Sequence, residues 1–327
     1  MMNISTKIAR LAPILFPILL VAGHVYAKVL VLGNNAVDHV FTVDTDYADN
    51  GKRLALERHI FYGGKASNVA FTLAQLIREP VTYIGVFASD DGAVQGRRVL
   101  EQQNVQIESV STSGDSNCSA IMLDKASGER LVTFYPALAM HPSRDEWEAS
   151  LLDLLSGIDL SDVSHVYSDS ELTAATRLLF RRARALGIPC LLDLERLDAP
   201  KLELLWEATV LIGNGSVLLD LASESDLRRA LESVAETYQL GTVIASLGEK
   251  GHVGLEYDID TGEARFFQAD AEQIDVVDST GAGDAFHAGF IAGVLRGYSV
   301  EESAVNAGHV AARACQDLGP KAVLASK

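Results

Sequence analysis

Asp278-Ser279-Thr280-Gly281-Ala282-Gly283-Asp284 follows a strand-like stretch, Ile274 to Val277, and opens a helix-like one, Ala285 to Leu295. Two glycines and an alanine leave little side-chain bulk, so a ligand can approach this backbone closely. Such a turn aims free N–H groups and the positive end of a helix dipole at one point, a ready site for an anion such as a migrating phosphoryl group. Asp284, in the first helical turn, stands beside that point and could take a proton from an attacking hydroxyl. The rival reading is a helix cap with a glycine-rich turn, since Asp is common in first turns for dipole reasons alone.

Two further segments agree with the first. Gly63-Gly64-Lys65-Ala66-Ser67-Asn68-Val69-Ala70 is a glycine pair leading into an apolar-periodic helix, Val69 to Leu76. Lys65 and Asn68, three apart, share one face of its first turn, where a cation and an amide could hold hydroxyls. Ala245-Ser246-Leu247-Gly248-Glu249-Lys250-Gly251 reads as a strand end followed by a third glycine-bearing loop.

The surrounding pattern is alternating. Val29–Gly33, Val81–Val86, His165–Tyr167, Pro189–Leu194, Val210–Gly213 and Thr242–Ser246 are short apolar or β-branched runs of the kind that form buried parallel strands. Helical patterns lie between them at Val69–Leu76, Val94–Gln103, Glu146–Leu155, Thr173–Leu186 and Leu227–Tyr238. Alternation of this kind predicts a doubly wound α/β sandwich with ligands at the carboxyl ends of the strands. Phe41 to Phe61 and Ser119 to Tyr135 depart from it as a β-excursion, the second a hairpin around Ala126-Ser127-Gly128.

Composition narrows the function. The 327 residues are 48% hydrophobic, enough for a large core, and the net charge is −17. Residues 1–27 hold Lys7 and Arg10 but no acid, so the remainder carries −19, two below the whole-chain −17. An acidic body without a long basic run argues against a nucleic-acid partner. Cys118, Cys190 and Cys315 lie far apart without CxxC spacing and read as reduced, buried thiols. The eight histidines form no HExxH pair or Cys/His cluster, so no zinc site is expected. His287 reads as a helix-packing residue.

The three glycine segments, in this order and separation, resemble the signatures of the ribokinase-like (pfkB) family of sugar and nucleoside kinases over about residues 28 to 320. The resemblance implies an α/β/α sandwich with a mostly parallel sheet and a small β-lid, its strands from about 39–62 and 117–136, in one kinase domain spanning 28–327. It implies ATP-dependent phosphorylation of a small sugar, with Asp284 as the base and the amides of Gly281, Ala282 and Gly283 stabilising charge on the transferred group. Sugar contacts carry over to Asp38, Gly64, Lys65 and Asn68. Asp38 also reads as a turn former and Lys65 as a solvated helix residue. Asn35 and Arg130 are further candidates. Ser246, Gly248 and Gly251 match the loop lining the ATP site, and Asn306 a helix that flanks the adenine, with packing as its rival role. Asp278 and Thr280 fall where some members bind a monovalent cation such as K⁺; helix capping is the alternative.

Many members carry Asn-x-x-Glu after the strand equivalent to Val210–Gly213, which positions hydrated Mg²⁺. Here Asn214-Gly215-Ser216-Val217 puts Val217 in place of the Glu. Mg²⁺ is still expected with ATP. Ser119–Asp124 followed by Gly128-Glu129-Arg130 resembles the lid strand of ketohexokinase and sulfofructose kinase and tilts the acceptor toward a ketose. A nucleoside kinase, with Phe61, Tyr62, Phe134 and Tyr135 near the lid, and a non-catalytic sugar sensor are the rival readings. In some members of the resembled family the lid is also a dimer interface, so a homodimer through it is one possibility. Met1–Arg10 is basic, Leu11–Gly23 apolar, and Val25-Tyr26-Ala27 ends like a cleavage site, so residues 1–27 read as a secretory signal. The apolar run is short and broken by Pro13 and Pro17, so no membrane span is expected. An ATP-using kinase fits the cytoplasm, and the alternative reading of 1–27 is a mis-assigned translation start.

Overall fold

The computed structural model describes residues 27–49, 52–125 and 130–320. The signal-like segment and the hairpin turn at Ala126-Ser127-Gly128 lie outside them. The chain enters through β1 (Lys28–Leu32), then forms the long hairpin β2 (Ala36–Asp49) and β3 (Lys52–Gly63). Helix α1 (Lys65–Leu76), β4 (Val81–Phe87), α2 (Asp91–Glu101) and β5 (Gln106–Ser111) follow, then a second hairpin, β6 (Cys118–Asp124) and β7 (Arg130–Tyr135). Next come α3 (Arg144–Gly157), β8 (Val163–Ser168), α4 (Thr173–Arg184), β9 (Cys190–Leu194), the short α5 (Ala199–Leu202), β10 (Val210–Asn214), α6 (Gly215–Ala222), α7 (Leu227–Tyr238) and β11 (Thr242–Ser246). An antiparallel pair, β12 (His252–Tyr257) and β13 (Ala264–Ala269), precedes the final helices α8 (Ala282–Leu295) and α9 (Val300–Ala314).

These elements form two sheets. The larger runs β13-β12-β11-β10-β9-β8-β1-β4-β5, all in one direction except β12, which is antiparallel to both its neighbours. Its central strands are apolar on both faces because helices cover both, as the unbroken burial of Val81–Phe87 and Cys190–Leu194 shows. From β1 the chain builds outward to β4 and β5 on one side and then to β8, β9, β10 and β11 on the other. That reversal is a switch point, and it opens a crevice outside the carboxyl ends of β1 and β8.

The smaller sheet runs β3-β2-β6-β7. Its register puts Phe61, Asp38, Ser119 and Phe134 in one cross-strand row, His59, Val40, Ile121 and Val132 in the next, and Glu57, Thr42, Leu123 and Arg130 in a third. Alternate residues of a strand share a face, so these three rows form one face of the sheet. Val40, Ile121 and Leu123 are buried there against Phe61 and Leu318.

Three readings of the sequence need correction. Ile274–Val277 is not a strand: Val276 and Val277 are 62% and 51% exposed, and the backbone N–H groups of Val277 and Asp278 donate to the carbonyl of Cys315 instead of to a sheet. Helix α8 begins at Ala282, three residues before the expected start, because Gly281 at φ +79° supplies the left-handed turn that admits it. Finally, β5, β12 and β13 extend the sheet at both margins beyond the strands read from the sequence.

The core should carry the stability. Phe180, on the buried face of α4, is fully enclosed, whereas Leu186 beyond the helix end is largely exposed. Phe180→Ala is expected to lower the unfolding free energy by about 3–5 kcal/mol in a urea titration, and Leu186→Ala to leave the midpoint unchanged.

Candidate active site

Two helix N-termini converge on the crevice. Neither has a side-chain cap from its own first residue: Gly64 precedes α1 at φ +91° and Gly281 precedes α8. For α1 the cap comes from a distant residue. Asp169, just past β8, accepts the amide of Asn34 at 2.7 Å and that of Ala66 at 3.3 Å through Oδ2, and the amide of Glu171 at 3.1 Å through Oδ1. Burial pushes its carboxyl up to about 6, helped by the Glu171 carboxylate and opposed by Lys65 and these amides. The N-terminus of α8, by contrast, stays open. Ala282 N–H makes a 3.3 Å bond to the Ser279 carbonyl, and the amides of Gly281 and Gly283 have no acceptor among the described residues. A Cβ on Gly283 would meet empty space. This is the geometry of an anion site.

Asp284 sits on that first turn, buried, and Asn68 on α1 donates Nδ2–H to its Oδ2 at 2.7 Å. Burial holds the Asp284 carboxyl well above the usual range; the Asn68 bond pulls the other way, and the neighbouring Asp193 charge adds to the rise. A Cβ built on Gly63 would lie 2.8 Å from Asp38 Oδ2 and 3.1 Å from Asn68 Oδ1, so both oxygens face one small space over that glycine. Thus Asp38, Gly64, Asn68 and Asp284 come together, with the carboxylate between an acceptor-bearing wall and the α8 amides.

Lys65 takes a different direction. Its Nζ lies 2.6 Å from Glu195, 3.7 Å from Glu171 and 3.8 Å from Asp193. Burial alone would lower its pKa, but the charges of Asp193, Glu195 and Asp169 outweigh it and keep the ammonium protonated. Asp193, on β9, was not singled out in the sequence, and neither were Asp169, Tyr167 or Glu195. Burial also raises the Asp193 carboxyl. His287 joins this group: its Nδ1 is 2.7 Å from the Gly283 carbonyl, which can only accept, so Nδ1 carries the hydrogen. Its Nε2 then faces Asp193 Oδ1 at 3.7 Å, and its ring meets that of Tyr167 edge-on.

Other sequence candidates lie further along the sheet. Gly251, at φ +84°, packs against the backbone of Ala269 so tightly that a Cβ would overlap it; Gly248 is open, and Ser246 Oγ donates to the Gly213 carbonyl at 3.3 Å. Asn306 Nδ2 donates to the Gly289 carbonyl at 2.7 Å, a helix-to-helix bond. Asn214 caps α6 through Ser216, and Val217 packs against the core. Asp278 accepts the amide of Thr280 at 2.9 Å and that of Gly319 at 3.1 Å, and Arg130 donates to Thr280 Oγ1 at 2.8 Å. Among the described residues no group of three or more His, Cys, Asp or Glu is arranged to hold a metal ion, and no helix is long and apolar enough to cross a membrane.

The family model described as pfkB family carbohydrate kinase matches residues 27–326. The chain belongs to the pfkB family of carbohydrate kinases. Among curated relatives, an ATP-dependent ribose-1-phosphate kinase of Halopiger xanaduensis is 28% identical over 84% of this chain and 88% of its own length. A fructokinase of Salmonella typhimurium is 27% identical over 81% and 84%. The structure of Arabidopsis thaliana ribokinase complexed with ribose and ATP shares the fold, with a TM-score of 0.70 at 21% identity over 91% of this chain and 97% of that one. The chain is thus an ATP-dependent kinase on a ribokinase-like scaffold.

Gly64 offers a direct check on how this kinase builds its site. A Cβ there would overlap the Asn35 backbone, and φ +91° disfavours any L side chain. Gly64→Ala is expected to cost about 1–3 kcal/mol in thermal or urea unfolding.

Proposed function

We propose that this kinase transfers the γ-phosphoryl group of ATP to a hydroxyl of a small sugar, a ketose in preference to a pentose. The Asn68–Asp284 hydrogen bond carries the reading. It ties the acceptor wall to a carboxylate one turn from open backbone amides, so a hydroxyl held by Asp38 and Asn68 lies between base and anion site. Asp284 takes the hydroxyl proton as oxygen attacks phosphorus, and the amides of Gly281, Ala282 and Gly283 stabilise the charge on the transferred group. Lys65, fixed as an ammonium among Glu195, Asp193 and Glu171, supplies positive charge near Asp284.

The nucleotide would lie along Ser246, Gly248 and Gly251, with Asn306 at its far end. Mg²⁺ would arrive with the triphosphate and neutralise its oxygens. Val217, packed against the core, supplies no carboxylate to its hydration shell. A monovalent cation such as K⁺ at Asp278 and Thr280 would have to share the Asp278 oxygens that now accept backbone amides and the Thr280 Oγ1 that accepts from Arg130.

The smaller sheet would act as a lid, since Asp38 on its inner face belongs to the acceptor wall. Its other face exposes Ile60, Leu131 and Tyr135, apolar surface that suits a homodimer. A nucleoside acceptor is favoured by one observation. Phe134 is 43% exposed and occupies the same row as Asp38 and Ser119, where a base could stack on it.

The assay is ADP release from MgATP with fructose, ribose, tagatose, sulfofructose, 2-keto-3-deoxygluconate and adenosine as acceptors. Turnover on a ketose that falls about 10²–10⁴-fold in Asp284→Ala is the expected result. Preference for adenosine, lost in Phe134→Ala, would establish the nucleoside reading. No acceptor-dependent turnover from folded, ATP-binding protein would favour a non-catalytic sugar sensor.

The raised Asp284 carboxyl sets a pH dependence. The base form is gained as pH rises, so the rate at saturating substrates should fall on acidification with a midpoint above the ordinary Asp value of about 3.9. Removing a like charge eases ionisation, so Asp193→Asn should move that limb to lower pH.

A further inference from the structure

Helix α8 buries a single polar side chain among apolar ones. Every residue from Ala285 to Gly293 is buried, and only His287 in that run carries polar side-chain atoms. A packing residue there needs volume alone, whereas a buried imidazole loses its hydration and is costly unless its nitrogens are used. His287 uses one of them beside the site. Its Nδ1 lies 2.7 Å from the Gly283 carbonyl, one turn back at the start of its own helix. Two strands of the larger sheet hold the ring from behind. Tyr167 of β8 meets it edge-on with 5.5 Å between ring centroids, and Asp193 of β9 stands 3.7 Å from Nε2.

The carbonyl that receives this hydrogen bond belongs to the same peptide group as the Asp284 N–H. Helix geometry already gives that carbonyl the backbone amide of His287, so the imidazole is its second donor. The amides of Gly283 and Asp284 lie in the open first turn, where no intrahelical acceptor exists. Neither has another acceptor among the described residues. Electron density drawn toward a carbonyl oxygen makes the N–H of the same peptide a stronger donor. We propose that His287 is a positioning residue for phosphoryl transfer, fixing and polarising the Gly283–Asp284 peptide. The Asp284 amide thereby joins those of Gly281, Ala282 and Gly283 in holding the transferring group. The gain is largest where negative charge grows, in the transition state, so it belongs to kcat. It does not depend on the charge of the ring. Nδ1 carries a hydrogen both in the neutral tautomer that this carbonyl selects and in the imidazolium. The role assigned to His287 rests on the reading of the Gly281–Gly283 turn as the anion site.

Three substitutions separate this role from packing. Asn places an amide N–H near the Nδ1 position, Gln places one near Nε2, and Leu keeps bulk without a donor. In the ADP-release assay, His287→Gln and His287→Leu should lower kcat about two- to fivefold with both KM values unchanged. His287→Asn should stay near wild type. Inhibition by MgADP with aluminium fluoride, a mimic of the transferring group, should weaken in the same order. Nitrogen NMR of the unsubstituted protein, with isotope-labelled histidine, should show a hydrogen on His287 Nδ1 that exchanges slowly with water. Equal kcat in the Asn and Gln variants would overturn the proposal, and so would an Nδ1 that carries no hydrogen. The spectrum needs no substitution, and the Asn–Gln comparison stands even where His287→Leu folds poorly. A rate indifferent to Asp284→Ala would instead sink the phosphoryl-transfer reading, while the histidine spectrum would still report the Nδ1 bond.

Discussion

Asp169 holds the two sides of the switch point together. It gathers amides from the turn after β1, from the first residues of α1 and from its own loop, and it fills the space over Gly33 that any side chain there would occupy. A buried carboxylate is costly unless its lone pairs find donors, and three backbone amides are what make this one tolerable. Its placement aims α1 into the crevice, and α1 carries both Lys65 and Asn68. Without a group at 169, the Ala66 amide would lose its acceptor and the α1 N-terminus would keep only the Asn34 carbonyl, on Ser67, as a distant partner among the described residues; the Asn68–Asp284 bond would then start from a looser base.

The charges of the site divide along the same line. Asp169, Glu171, Asp193 and Glu195 lie on the β8–β9 side and surround Lys65, while Lys201 and Arg196 pair with Glu171 from outside. The α8 N-terminus presents bare amides with Asp284 as its first-turn acid. In an acidic protein, backbone dipoles outweigh carboxylates for an anion only where amides are left without acceptors, and the Gly281–Gly283 turn leaves two so among the described residues. The crowd of acids around Lys65 has a different effect: it fixes the ammonium in charge and position, and through Asp193 it raises the affinity of Asp284 for a proton.

The glycine motifs and the central strands were legible because local rules govern them. Gly64 and Gly281 need left-handed or closely approached backbone, and Val81–Phe87 or Thr242–Ser246 are apolar runs that only a doubly covered sheet accepts. The margins were not. Strand β5 is mostly polar because it is an edge, and Ile274–Val277 imitates a strand by its β-branched residues although no sheet pairs with it. Asp169 and Asp193 looked like ordinary residues at strand ends, since their roles come from contacts more than a hundred positions away in sequence. Lys65 and Asn68 were placed on one helix face, yet the fold turns Asn68 to Asp284 and Lys65 to Glu195, a divergence that depends on which strand ends lie opposite.

The segment before the Gly281–Gly283 turn has no strand to hold it, because Val276 and Val277 are exposed and unpaired with the sheet. In a sheet-anchored turn, a ladder of hydrogen bonds would fix the loop by itself. Here the loop hangs from the end of α9 through Cys315 and from Gly319 through Asp278, and the adjoining Leu318 packs against the core of the smaller sheet. A single exposed Arg–Thr bond, such as that of Arg130 with Thr280, contributes little by itself. Where few backbone bonds hold a segment, such small contacts weigh more in its order than they would in a rigid strand.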